Sequence, residues 1–160
     1  MHKVYRVLLS VLLIGFSAFE KSHGQSPDHD ADSIQVANRL SAFVDAFSNL
    51  QWDKFTGFFA DDATAFFPPS ANFPYRANNK IEIEKIFKSF FDVMRARKSS
   101  PPYLEIIPKD LRIQTLNSVA VVSFTLEDPG MLGRRTIVLE KRNDQWFIVH
   151  LHASGVPIHG

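Results

Sequence analysis

Within its 160 residues the chain carries 18 lysines and arginines against 17 aspartates and glutamates, no cysteine, and 15 phenylalanines. That length allows one domain with a substantial core. The balanced charge offers nothing to a phosphate backbone or an anionic membrane, and the missing thiols exclude disulfides, thiolate metal sites and cysteine chemistry together.

In chain order, residues 1–24 read as a secretory signal peptide. Lys3 and Arg6 precede an apolar run from Val7 to Phe19, and small Ser22 and Gly24 stand at the minus-three and minus-one places before Gln25. The run is shorter than the ~20 residues needed to cross a bilayer, so the expected location is periplasmic or extracellular after cleavage, with no membrane attachment. Once Lys3, Arg6, Lys21 and Glu20 leave with the leader, the mature chain is near minus one. Polar, acidic residues 25–32, with Pro27, read as a disordered spacer, and residues 33–160 as the domain.

Ser33 stands where a helix cap would, ahead of Val36, Leu40, Phe43, Val44, Phe47 and Leu50 at the spacing of one helical face. A short second helix buries Trp52, Phe55, Phe58 and Phe59 and ends at Ala60-Asp61-Asp62. Ala63 to Phe67 is a short strand stopped by Pro68-Pro69, followed by an irregular connection holding Tyr75 and Arg76. Asn79 with Glu82 three residues on resembles a capping box for a third helix lined by Ile83, Ile86, Phe87, Phe90 and Met94. That helix ends in Arg95, Arg97 and Lys98, where cations suit its dipole.

Four strands close the domain: 103–116 with a bend at Pro108, 119–127, 134–142 and 146–154, the last two joined at Asn143-Asp144. In the last one a two-residue period puts Trp146, Ile148, His150 and His152 on one face and Phe147, Val149, Leu151 and Ala153 on the other. Neither face suits solvent, so both are expected to be covered. Three helices in the N-terminal half, then meandering antiparallel strands, predict an α+β domain with helices gathered on one face of a curved sheet.

The Trp52 to Asp62 block, the Ala60-Asp61-Asp62-Ala63-Thr64 turn and the closing Trp146 to Ser154 strand resemble SnoaL-like proteins of the nuclear transport factor 2-like superfamily. The ending from His150 to Pro157 is similar to the close of the calcium/calmodulin-dependent kinase II association domain. The likeness spans nearly all of residues 33 to 157. It implies a cone: a strongly bent, mostly antiparallel sheet wrapped around a long helix, with a pocket at the open end and an outer face often used for dimerisation. It does not fix a chemistry, since one fold hosts many.

By the same resemblance, ketosteroid isomerases carry a carboxylate base five residues after the second Asp of the turn and a tyrosine donor on the first helix. Those places fall on Phe67 and Phe43 here, and neither phenylalanine moves a proton, so that activity is not expected. A pocket arginine of the kinase association domain falls on Ile137.

This leaves His150 and His152 as the expected catalytic pair, projecting together into the pocket, with Asp110 beside Pro108 either an inward acid joining them or a solvated carboxylate. The alternative is that both imidazoles are buried, neutral and hydrogen-bonded. A metal would need a third ligand from Asp61, Asp62, Asp110, His159 or a glutamate, with no spacing to recommend any, so neither metal nor cofactor is expected. The candidate ligand contacts are Phe43, Trp52, Phe55, Phe66, Phe67 and Tyr75 from the aromatics, Arg76 near the mouth, and Arg135; Arg134 and Arg135 face opposite ways, so one alone can enter a cavity. Asp61 and Asp62 are expected to satisfy backbone donors at their turn.

The expected function is that of a secreted, homodimeric domain holding a small, largely apolar molecule in an aromatic pocket, with two histidines as polar contacts. Any catalysis would be proton transfer of a lyase, isomerase or cyclase type. The alternative is an association module working through its convex sheet face, with a vestigial pocket.

Overall fold

A computed structural model describes residues 27–68, 75–128 and 130–158. The leader (1–24), the connection 69–74 and His159 lie outside the described residues. Helices α1 (Pro27–Ser48) and α2 (Trp52–Thr56) are followed by strands β1 (Phe59–Phe66) and β2 (Arg76–Ala77), then by helix α3 (Lys80–Arg97) and strands β3 (Lys109–Leu116), β4 (Val119–Asp128), β5 (Met131–Arg142) and β6 (Gln145–Pro157). The strands form one curved sheet in the order β2-β1-β6-β5-β4-β3. Every pairing is antiparallel except β1 with β6.

α1 buries Val36, Leu40, Phe43, Ala46 and Leu50, the face its periodicity predicts. The helix starts at Pro27, ahead of the Ser33 cap, and so takes in much of the segment read as a spacer. Tertiary contacts explain the difference. Asp32 pairs with Lys141 of β5 at 3.0 Å, and the Ser33 hydroxyl lies 3.3 Å from that of Thr115 on β3, so both residues are tied to the sheet from inside the helix. α1 ends with Leu50 in the left-handed region at φ 51°, and Arg95 of α3 donates to the Leu50 carbonyl at 2.8 Å. A side chain that periodicity assigned to helix-end charge thus locks two helices together.

α3 begins as its sequence predicts. The Asn79 side chain accepts from the Glu82 N–H at 2.9 Å, while the Glu82 carboxylate accepts from the Asn78 N–H at 2.8 Å, one residue before the expected reciprocal donor. Ile83, Ile86, Phe87 and Phe91 are its buried residues. Asn143 and Asp144 turn β5 into β6 with both φ values positive, 49° and 60°, the signature of a tight hairpin turn.

Two stretches depart from the predicted strands. Asp61 and Asp62 lie inside β1 and do not end a helix; the β1–β6 register shifts between Phe59 and Thr64, and the exposed Asp62 carboxylate takes a two-pronged bond from Arg142 of β5 at 2.9 and 3.0 Å. The Arg142 guanidinium holds that carboxyl below its ordinary pKa. Residues 103–108 are irregular, because the Tyr103 and Leu104 N–H groups donate to the Ser48 carbonyl at the end of α1, at 2.8 and 3.1 Å, and so leave the sheet.

Candidate functional site

Between α1, α3 and the inner face of the sheet lies a cavity of about 620 Å³, within the ~300–1,000 Å³ usual for small-molecule sites. α1 contributes Phe43, Val44 and Phe47; α3 contributes Ile86, Phe87 and Phe90. The floor is Phe124 and Leu126 of β4, Arg135 and Ile137 of β5, and Leu151 and Ala153 of β6. Phe67, Pro68 and the segment Tyr103 to Ile106 complete the wall.

Behind this wall the rings form one continuous cluster of edge-on, tilted and stacked pairs. Phe55, with no exposed surface, lies 4.7 Å from Phe87, 5.1 Å from Phe91 and 5.4 Å from both Phe43 and Phe59, centroid to centroid. Phe47 meets Phe90 in a stacked pair at 5.8 Å. Such contacts fix ring orientations and keep the cavity walls from collapsing inward. Phe47, Phe67, Phe90, Tyr103 and Leu126 remain only partly buried, since one side of each meets the cavity.

Arg135 and Glu105 are the charged groups of this lining among the described residues. Glu105 is exposed; Arg135 is half-buried, and its Nη1 donates to the Ser154 carbonyl at 3.0 Å and the Arg134 carbonyl at 2.9 Å. Arg134, the next residue on the strand, faces solvent.

The histidines do not reach this hollow. Leu139 pairs with Ile148, but Val138 pairs with His150, so Val149 is an extra residue and the faces of β6 exchange there. Trp146 and Ile148 point inward before the bulge, Leu151 and Ala153 after it. The expected inward projection of His150 and His152 is therefore corrected: both sit on the outer face. There the His150 Nδ1 lies 2.8 Å from the Thr64 hydroxyl, and the Phe66 ring lies 5.7 Å from the His150 ring and 6.2 Å from that of His152. Partial burial first, and the neighbouring His152 second, pull the His150 pKa below its ordinary value.

Of the other sequence candidates, Phe43 and Phe67 line the cavity and Arg135 stands in its floor. Phe55 is core, and Trp52 packs edge-on against Phe91 at 5.7 Å with the Lys88 ammonium over its face. Phe66 is on the outer face, with the Arg76 guanidinium 5.5 Å from its ring, and Tyr75 is 65 % exposed. Asp110, at φ 52° beside the β3–β4 register shift, is exposed and accepts from the Thr125 hydroxyl at 3.0 Å. Of its two readings the inward acid is corrected, and the solvated carboxylate is the one the structure has. Among the described residues no three histidines or carboxylates gather as a metal site would require.

The sequence profile of the SnoaL-like domain matches residues 36–159, most of the chain. The chain belongs to the SnoaL-like domain family. No curated protein matches it at a significant level. Among solved structures, an NTF2-like protein of unknown function from Pseudomonas putida KT2440 superposes with a TM-score of 0.62 at 15 % identity, over 78 % of this chain and 87 % of that one. A DUF3225 family protein of unknown function from Pectobacterium atrosepticum SCRI1043 gives 0.62 at 20 % identity, over 83 % and 99 %. The CaMKII hub from S. rosetta gives 0.57 at 21 % identity, over 78 % and 96 %. At these identities the likeness is one of fold.

For a SnoaL-like domain the described cavity is poor in groups that move protons. Where the isomerase comparison looks for a base and a donor stand Phe67 and Phe43, both on the cavity wall. The sequence did not single out Phe47, Phe87, Phe90, Tyr103, Leu151 or Ala153 as lining residues. Spacing marks an apolar residue as buried, and does not say whether its far side meets another side chain or a void.

Proposed function

We propose that this SnoaL-like domain binds a small, largely apolar molecule in its aromatic cavity. One observation carries the reading: about 620 Å³ of hollow, held open by rings packed on α1 and α3, where a domain built only for stability would fill the space. The domain acts as a binder; the imidazoles expected to work on the ligand lie across the sheet from it. The leader sequence supports export, which N-terminal sequencing of the protein from its own host tests by finding Gln25 first.

Native mass spectrometry of protein purified from that host is expected to show a co-purifying adduct that is lost in Ala153→Trp, whose indole fills the floor of the cavity. If the wild-type protein carries no adduct and does not brighten the neutral dye Nile red, the reading fails.

A second reading, self-association through the outer sheet face, has its own support in Phe66. This ring is 38 % exposed between two imidazoles and beneath the Arg76 guanidinium. Light scattering after size exclusion is expected to give a dimer for the wild type and a monomer for Phe66→Glu. A wild-type monomer rules this reading out.

A further inference from the structure

We infer that the cavity's ligand is an uncharged molecule whose apolar body lies among the rings and whose neutral oxygen, a hydroxyl or a carbonyl, meets the hydroxyl of Tyr103. The inference rests on the cavity reading above and adds the ligand's charge and its polar contact.

Residues 103–106 leave the sheet for a local reason. α1 ends in carbonyls that no further helical turn satisfies, and the Ser48 carbonyl takes the N–H groups of both Tyr103 and Leu104, at 2.8 and 3.1 Å. One residue earlier, the Lys98 ammonium at the end of α3 donates to the Pro102 carbonyl. Tyr103 is thereby pinned between the ends of the two helices, its ring partly buried against the core and on the cavity wall.

Every other aromatic side chain of that wall is a phenylalanine. Phenylalanine would fill the place of Tyr103 equally well, so packing does not account for the oxygen. A tyrosine O–H enclosed by protein usually finds a partner. Among the described residues none bonds this one, and the oxygen is not sealed into the packing, since the enclosed side-chain polar atoms without a partner belong to Arg39 and Gln51. The Tyr103 hydroxyl is thus a donor left open on a ring that borders the hollow.

The charged groups of the lining give a ligand ion little. The Arg135 Nη1 already donates to the Ser154 and Arg134 carbonyls, and the residue has a further interaction besides, so an anion would have to displace existing contacts. Glu105 is exposed, where water screens it from a cation in the hollow. Carrying a charge into this hydrocarbon lining is therefore costly. A neutral oxygen loses a bond to water and regains one from Tyr103.

The test is displacement of Nile red at neutral pH by four probes that share a naphthalene body: 2-methylnaphthalene, 2-naphthol, 2-naphthoic acid and 2-(aminomethyl)naphthalene. The wild type is expected to bind 2-naphthol more tightly than the acid or the amine. Tyr103→Phe, which keeps the ring and removes the oxygen, is expected to weaken 2-naphthol roughly 3-fold to 10-fold, the loss of one neutral hydrogen bond, with 2-methylnaphthalene unchanged. A hydroxyl that served only folding would move both probes together. An unchanged 2-naphthol affinity, an equal loss for both probes, or tighter wild-type binding of the acid or the amine overturns the inference while the cavity reading stands. Protein that takes up Nile red but releases it to none of the four probes also overturns the inference alone, and protein that takes up no Nile red overturns both.

Discussion

Ile148 and Leu151 both point into the core although three positions separate them, an odd interval that a regular strand cannot place on one face. Val149 absorbs the extra residue, and every side chain beyond it changes face. The cavity therefore depends on Leu151 and Ala153 and not on the alternating imidazoles of His150 and His152. His150→Ala and His152→Ala are each expected to leave Nile red affinity within about twofold, as substitutions outside the contact surface do, while Ala153→Trp abolishes it. Fluorescence titration of the three variants checks this, and loss of binding in either histidine variant would count against the outer placement.

Phe55 and Phe47 belong to the same ring cluster but differ in what stands behind them. Phe55 is enclosed by five other phenylalanines, and Phe55→Ala is expected to cost about 3–5 kcal/mol. Phe47 also meets five rings but is only partly buried, with the void on one side, so Phe47→Ala removes less buried surface and is expected to cost less, while enlarging the binding space. Urea denaturation of both variants measures the difference, and equal costs would mean that the hollow closes up in solution.

Helical spacing at Phe43, Phe47 and Leu50, the Asn79–Glu82 box and the Asn143–Asp144 turn each report a local preference, and each element formed where they stand. With the family resemblance they were enough for an α+β cone. The site was less legible because it depends on events of zero net local signal. A bulge at Val149 has no proline or glycine to mark it, and the β1 irregularity after Phe59 falls where Ala60-Asp61-Asp62 reads as a turn. Two adjacent arginines on a strand must face apart, which offers one of Arg134 and Arg135 to a cavity, and pairing with β4 and β6 sets that one as Arg135.

Cap chemistry separates two helix starts that look alike in sequence. Asn79 accepts from the Glu82 N–H, so Asn79→Ala is expected to cost about 1 kcal/mol. Ser33, also an apparent cap, sits in the interior of α1 with its hydroxyl against Thr115, so Ser33→Ala loses only a side-chain contact and is expected to cost less. Thermal unfolding monitored by circular dichroism checks the order of the two; a reversal would place the true start of α1 at Ser33.

The outer face gives the domain a pH dependence of definite sign. His150 is half-buried between Thr64 and Phe66 of β1, with His152 on its own strand, Thr136 and Val138 on β5, and the Arg76 guanidinium on the far side of Phe66. No carboxylate is among these groups, and both burial and His152 disfavour the imidazolium, so the folded pKa lies below its ordinary value. The unfolded chain, titrating near about 6.5, then takes up the proton more readily than the folded one. Stability from this group is complete above that value and is lost as pH falls through the folded pKa. Urea midpoints are expected to drop between pH 7.5 and 5.5 more steeply for the wild type than for His150→Gln, which keeps a polar partner for Thr64 but cannot titrate. Parallel slopes for the two proteins would mean that the imidazole pays nothing for its charge, and that the outer face is more open to water than its packing against Phe66 indicates.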